Sequence, residues 1–265
     1  DSGYQCRRRR RGRMGGGQVK GFEFYTLKEQ TLIDSPVVPI KEVLVPWKRE
    51  AVDVQKKQEG RRSRTDICSG IIKQNQLGWI VSCWADMKVS LNREDNSIFV
   101  TVPSKEKDPF ELLDGPPINV FPPLSFSGFA RTLKGTYPSL LKINTPWRFR
   151  CPDGWGLMYC PLLYHNQVEF YSATGVLDPT FINELNALLF LHTDKEELTI
   201  RQGTPLFQIV PVPLNQPKSI VREASEKEKK WHKMVEYMVL TRFKLSKKKV
   251  KENYDKFFSR SKRNV

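Results

Sequence analysis

The chain has 265 residues, 39% of them hydrophobic, and a formal net charge of +15. It is long enough for one well-buried main domain with appendages. It holds no run of roughly 18 to 20 apolar residues to make a membrane helix, and no apolar h-region of a secretory signal at the start, so the expectation is a soluble protein without a membrane partner. Five cysteines, Cys6, Cys68, Cys83, Cys151 and Cys160, are odd in number and widely spaced, which favours a reducing compartment over a disulfide framework. With no CxxC and with His165, His192 and His232 scattered, no metal site is expected.

The charge is unevenly placed. Residues 1–20 carry +6 and residues 222–265 carry +9, while residues 21–221 balance 22 basic against 22 acidic side chains. This predicts a neutral body with two basic ends. The first end, "CRRRRRGRMGGGQ" (6–18), joins a like-charge block to three glycines and is expected to be disordered alone. Its Arg7, Arg8, Arg9, Arg10, Arg11 and Arg13 can neutralise phosphates without regard to base sequence, which makes them the candidate nucleic-acid contact. A solvated tail, or an arm held by an acidic protein neighbour, is the alternative.

From Phe22 to Trp47, aromatic and β-branched residues are interrupted by Pro36, Pro39 and Pro46, so only edge strands or extended packing are expected. We read residues 21–64 as an arm over the body or over a neighbour, followed by a polar linker at 49–64. A domain over 65–221 follows. "ICSGIIKQNQLGWIVSCWADMKVSL" offers apolar stretches with Gly70 and Gly78 as turn points, and "DMKVSLNREDNSIFVTV" alternates as a hairpin closed at Glu94–Asn96. Residues 103–138, rich in Pro and Gly, read as a structured insertion or a surface loop. Strand patterns return in "LLKINTPWRFRCPDGWGLMYCPLL", "VEFYSATGVL", "NALLFLH" and "ELTIRQGTPLFQIVPV". In the tail, 222–265, Trp231, Val235, Met238 and Phe243 recur near helical intervals, and Ser225 with Glu228 fits a capping box. A helix of about four turns and a second short basic one are expected. Lys244, Lys247, Lys248, Lys249 and Lys251 read as a solvated face.

Three motifs in register carry a resemblance: Pro152-Asp153-Gly154-Trp155; Gly175-Val176-Leu177-Asp178-Pro179-Thr180-Phe181; and Ile200-Arg201-Gln202-Gly203 running on to Leu206-Phe207-Gln208-Ile209. In order and spacing, Trp147 to Leu214 resembles the β-clip fold of the trimeric dUTPase and dCTP deaminase superfamily, with "SGIIKQNQLGWIVSCWADMKV" as the matching early hairpin. The resemblance implies a mainly β protein, a dUTPase-like β-clip barrel or sandwich that forms a homo-oligomer, by family a trimer. The Asn-Thr-Pro-Trp lead-in, the hairpin and "YDKFFSR" also resemble an uncharacterised family of tailed bacteriophages. That implies a viral structural protein, virion partners, and a virion or host cytoplasm setting.

The resemblance implies little chemistry. The superfamily's Pro-Arg-Ser position falls on Cys160-Pro161-Leu162-Leu163, which offers no guanidinium or hydroxyl for phosphates. Leu188 stands at the deaminase general base, where leucine cannot move a proton, and Glu184 is four residues away. Asp178 and Gln208 match as remnants of the nucleotide site. Asp178 is also the residue type a turn wants, as are Gly175 and Gly203, and Gln208 is either a pore-facing or subunit-facing polar group or the exposed half of a strand. Trp147, Trp155 and Tyr159 read as core aromatics, and His165 and His192 as loop residues. The expected function is a non-enzymatic assembly protein. The alternatives are a dNTP-binding or dNTP-hydrolysing enzyme using Mg2+, with Arg131, Lys134, Arg148 or Arg150 as new phosphate ligands, and a nucleic-acid-binding regulator working through the arm.

Overall fold

The computed structural model describes residues 21–26, 35–43, 69–103, 113, 116–122, 135–162, 169–215, 218–240 and 251–256. The arginine block at 7–13, the linker at 49–64, His165 and the lysines at 244–249 lie outside the described residues. The chain forms two compact units, Asp1–Asn215 and Gln216–Val265.

The first unit is mainly β. Its strands are β1 (Glu23–Thr26), β2 (Val38–Pro39), β3 (Trp79–Ser82), β4 (Met87–Asn92), β5 (Ser97–Thr101), β6 (Ile118–Phe121), β7 (Leu140–Ile143) and β8 (Trp147–Arg150). They continue as β9 (Trp155–Cys160), β10 (Phe170–Ser172), β11 (Gly175–Leu177), β12 (Ala187–Leu191), β13 (Glu197–Ile200) and β14 (Pro205–Pro213). A short helix, α1 (Ser69–Gln74), precedes β3. All described pairings are antiparallel, in sheets ordered β11-β9-β14-β3-β2, β10-β12-β7-β6, β13-β4-β5 and β1-β8. None of these sheets closes on itself, so the barrel expectation is corrected: the described strands form several open sheets.

Alternation decides which side chains go inside. Met87, Val89 and Leu91 of β4 are buried while Lys88 is exposed, and Leu198 and Ile200 of β13 follow the same rule. They join Leu141, Ile143, Phe149, Leu157, Leu189, Phe207 and Ile209 in one core. Each such side chain, fully withdrawn from water, contributes about 1.5–3 kcal/mol.

The β4–β5 hairpin closes as its sequence predicts. Residues 93–96 form the turn, Asn96 takes φ 59°, and the Asn92 and Asp95 carboxamide and carboxylate oxygens accept from Glu94 N and Ser97 N. The end of the 103–138 segment ties this turn down. Tyr137 Oη lies 2.5 Å from Asn92 O and 3.0 Å from Ser97 O, and Ser139 Oγ donates to Asn96 O. The same segment supplies β6, which pairs with β7, so it is part of a sheet and not only a surface loop.

Two expectations for residues 69–89 fail. Gly70 lies inside α1 rather than at a turn, because the apolar pair Ile71-Ile72 continues into Asn75, whose Nδ2 and N both bond back to Ile71 O. The early hairpin is absent: β3 pairs with β14 and β2, whereas β4 pairs with β13 and β5. Gly78 keeps its turn role, at φ +76°.

The described parts of the arm pack on the chain's own body. β1 pairs with β8 and β2 with β3, leaving Pro39 on an edge strand, where its missing N–H breaks no inner ladder. Ser35 Oγ donates to Cys83 O, Trp147 Nε1 donates to Ser35 O at 2.8 Å, and Ile40 is buried with Ile80 and Leu162.

Pro211 and Pro213 sit in β14 without breaking a described ladder. Leu214 N donates to Gly154 O, so the even-numbered residues of β14 turn their N–H and C=O toward β9 and the odd-numbered ones toward β3. β3 pairs only as far as Ile209, so both proline nitrogens face a stretch where that partner strand has ended.

The second unit contains α2 (Glu226–Leu240), whose length matches the predicted four turns, and helical residues 251–256. The capping box is formed: Ser225 N donates to Glu228 Oε2 at 2.7 Å and Glu228 N to Ser225 Oγ at 3.3 Å. Arg222 forks onto the same carboxylate, which holds Glu228 well below the usual glutamate range. Trp231 meets Tyr254 edge-on at 5.5 Å. Among the described residues, no helix is long and apolar enough to cross a membrane.

Candidate functional site

The three motifs converge on the sheet ordered β11-β9-β14. Pro152-Asp153-Gly154-Trp155 is a β-turn in which Trp155 N donates to Pro152 O and Gly154 takes φ +76°. It launches β9, which pairs on one side with β11 and on the other with β14. Gly156 lets β11 come close, since a Cβ there would lie 2.4 Å from Leu177 O. Gly203 takes φ +81° in the turn closed by Thr204 N to Arg201 O, and Asp86 Oδ1 accepts from Gln202 N in the same turn. Gly175 is different: it lies in β11 without a positive φ, so its expected turn role is corrected.

Asp178 follows β11 directly. Its Oδ1 accepts from Thr180 N at 2.9 Å and from Thr180 Oγ1 at 2.7 Å, and these bonds hold its carboxyl below the usual range. Its carbonyl accepts from Phe181 N and Ile182 N. The side chain and main chain of Asp178 together build the turn that ends β11.

Gln208 is neither subunit-facing nor the exposed half of a strand. It is 2% exposed, and its Nε2 donates to Gln74 O at 2.9 Å and Leu77 O at 2.7 Å. These are carbonyls at and just past the end of α1, where the helical ladder runs out; Gln74 O also accepts from Leu77 N at 3.3 Å. A buried amide thus stitches the α1–β3 connection to the middle of the sheet. Gln208→Leu keeps the volume but removes the side-chain donor from both carbonyls, leaving Gln74 O only its bond from Leu77 N, and is expected to cost about 2 kcal/mol. The measurement is urea unfolding followed by tryptophan fluorescence. An unchanged midpoint would mean the two bonds contribute nothing.

The register separates Asp178 from Gln208. Asp178 follows the Leu177–Leu157 pair, while Gln208 stands opposite Cys160, so they are two strands and four residue positions apart. Strand geometry puts that at about 16 Å.

The groups weighed as replacements have other engagements. Arg148 pairs with Glu184 at 3.3 Å, and Asn186 Nδ2 donates to the other oxygen of that carboxylate. The Arg150 guanidinium lies 5.4 Å from the centre of the Tyr25 ring. Arg131 and Lys134 lie outside the described residues. Leu162 packs with Ile40 and Ile80, and Leu188 lies in β12, so the positions matching the phosphate and deaminase groups remain apolar. Among the described residues, no three His, Cys, Asp or Glu side chains gather as a metal site, and Asp178 alone does not fit Mg2+.

Of the aromatics, Trp147 and Tyr159 are buried. Burial pushes the Tyr159 phenol well above its ordinary range. Trp155 departs from the core expectation: it is 40% exposed and meets Phe22 edge-on. His192, just past β12, bonds through its N–H to Glu169 O. Cys151 Sγ donates to Trp155 O at 3.0 Å, and burial, with Asp178 and Asp153 nearby, raises its pKa and keeps it a thiol. Sequence reasoning missed Asp86 and Asn186, and weighed Glu184 only as a displaced general base, not as the partner of Arg148. Their long-range partners, Gln202 for Asp86, Arg148 for Glu184 and Thr145 for Asn186, are far along the chain, and no local spacing signals them.

No family model and no curated protein matches the chain. Among solved structures, the native dUTPase of EIAV is similar at 7% identity, over 57% of this chain and 86% of that one, with a TM-score of 0.31.

Proposed function

We propose that this chain is a non-enzymatic structural or assembly protein, built on a degenerate dUTPase-like β-clip scaffold. On this reading it belongs to a tailed bacteriophage, forms a homo-oligomer, and contacts virion neighbours or nucleic acid through its basic ends. The observation that carries it is the internal use of both nucleotide-site remnants. Asp178 is spent on Thr180 and Gln208 on the α1–β3 connection, two strands apart. A site for a deoxynucleoside triphosphate needs convergent groups, including cations for phosphate. Asp178 and Gln208 do not converge, and the matching Cys160-Pro161-Leu162 carries no charge.

Calorimetric titration of the full chain with dUTP and dCTP in Mg2+, with a pyrophosphate-release assay, tests this. Neither binding nor release is expected. Tight binding, or Mg2+-dependent release lost in Asp178→Ala, would replace this reading with a dNTP hydrolase. The arm is tested separately on duplex DNA. Removing residues 1–17 deletes six arginines, so affinity is expected to fall at least tenfold at low salt, with the log–log salt slope flattened by about five. An unchanged slope would take nucleic acid away from the arm and leave protein neighbours.

A further inference from the structure

β11 is the outer strand of the sheet ordered β11-β9-β14-β3-β2. The even-numbered residues of β9 turn toward β14, so Tyr159 and Leu157 bond to Gly175 and Leu177, their opposites in β11. Val176 therefore points its N–H and C=O away from the sheet. Val176 is 55% exposed, and just past the strand Phe181 is 86% and Ile182 54% exposed.

Three other edges, β2, β13 and β5, carry features that discourage strand addition, while β10 and β6 are edges of a separate sheet. β2 contains Pro39, β13 begins with Glu197 bridged to Lys88, and β5 follows a turn holding Arg93, Glu94 and Asp95. β11 has none of these: residues 170–177, "FYSATGVL", hold no charge and no proline. The Asp178 carboxylate beside it is tied to Thr180.

We propose that the β11 edge is a contact between two copies of this chain, paired antiparallel about a two-fold axis through Val176. The occupant follows from self-complementarity. An outward N–H and C=O on one residue exchange two hydrogen bonds with the same residue of a second copy, and an uncharged edge meets itself without like-charge repulsion. The body over residues 21–221 is formally neutral, so it adds no net repulsion. A nucleic acid would find no cation on this edge. The contact is short, which places the dimer among weak, concentration-dependent ones. It gives a specific form to the self-assembly in the proposed function, and it is two-fold, unlike a trimer contact.

Sedimentation equilibrium of the full chain at 0.3 M salt, which screens the basic ends, is the test. A monomer–dimer equilibrium is expected, with Val176→Lys weakening association at least tenfold at an unchanged melting temperature, because two ammonium groups meet at the axis. Val176→Cys provides a second reading. Paired Cα atoms at about 5.5 Å lie within disulfide range, so two thiols should oxidise to one inter-chain disulfide as added oxidised glutathione is reduced to two thiols. The unsubstituted chain controls for Cys151. An oligomer that Val176→Lys leaves intact and Val176→Cys fails to cross-link overturns the β11 contact while self-assembly stands. A monomer at every concentration overturns both.

Discussion

Gly78→Ala is expected to destabilise the body by about 4 kcal/mol and to lower its melting temperature by roughly 10 °C. Two costs add at this position. Gly78 takes φ +76°, where an L side chain is strained by about 1–2 kcal/mol. A Cβ there would also lie 1.9 Å from Ile209 O and 2.9 Å from Ile209 C, both backbone atoms of β14 in the middle of the sheet. No rotamer change relieves that overlap, so β3 and β14 must separate locally. Gly203→Ala is the control. Its φ of +81° is similar, but a Cβ would meet nothing within 4 Å, so only the conformational cost of about 1–2 kcal/mol is expected. Calorimetric melting of both variants separates the terms. Equal losses would mean that the close approach to Ile209 contributes nothing.

Trp147→Ala is expected to cost about 4 kcal/mol and to loosen the arm from the body. The indole is buried in the main core, and its Nε1–H is the donor for Ser35 O, a carbonyl of the arm. Its backbone is the last register partner of β1, opposite Thr26, and accepts from Leu185 N at its carbonyl. Truncation therefore opens a cavity and removes one fastening of the arm together. Trp147→Phe divides these effects. Most of the ring volume remains and only the donor is lost, for about 1–2 kcal/mol. Limited proteolysis near Ser35, with urea unfolding alongside, provides the readout. If Trp147→Phe left cleavage near Ser35 at the parent rate, the bond to Ser35 would not be holding the arm.

Much of the β architecture was readable because its signal is local. Met87-Lys88-Val89-Ser90-Leu91 alternates, Asn96 stands where a turn needs positive φ, and Ser225 with Glu228 marks a helix start three residues apart. Each is settled by neighbours within a few positions. The same locality explains the errors. "SGIIKQ" is apolar enough for a strand, and it forms α1 instead, in a connection capped by Gln208 from 131 to 134 residues away. The two residues that the resemblance marks, Asp178 and Gln208, show the same limit. Asp178 has the turn geometry its type predicts, from contacts two residues off, whereas the burial of Gln208 depends on where α1 and β3 end up.

Local pattern was enough for the β4–β5 hairpin, for the strands returning after Leu140, for the start of the tail helix and for the charge at both ends of a neutral body, because periodicity, capping and charge are properties of adjacent residues. Strand neighbours, the seating of the described arm through Ser35 and Trp147, and the place of β11 at the edge among the described strands came from long-range packing alone. Those outcomes depend on long-range hydrogen bonds and core packing between residues far apart in the chain, where a local pattern carries no information about the partner.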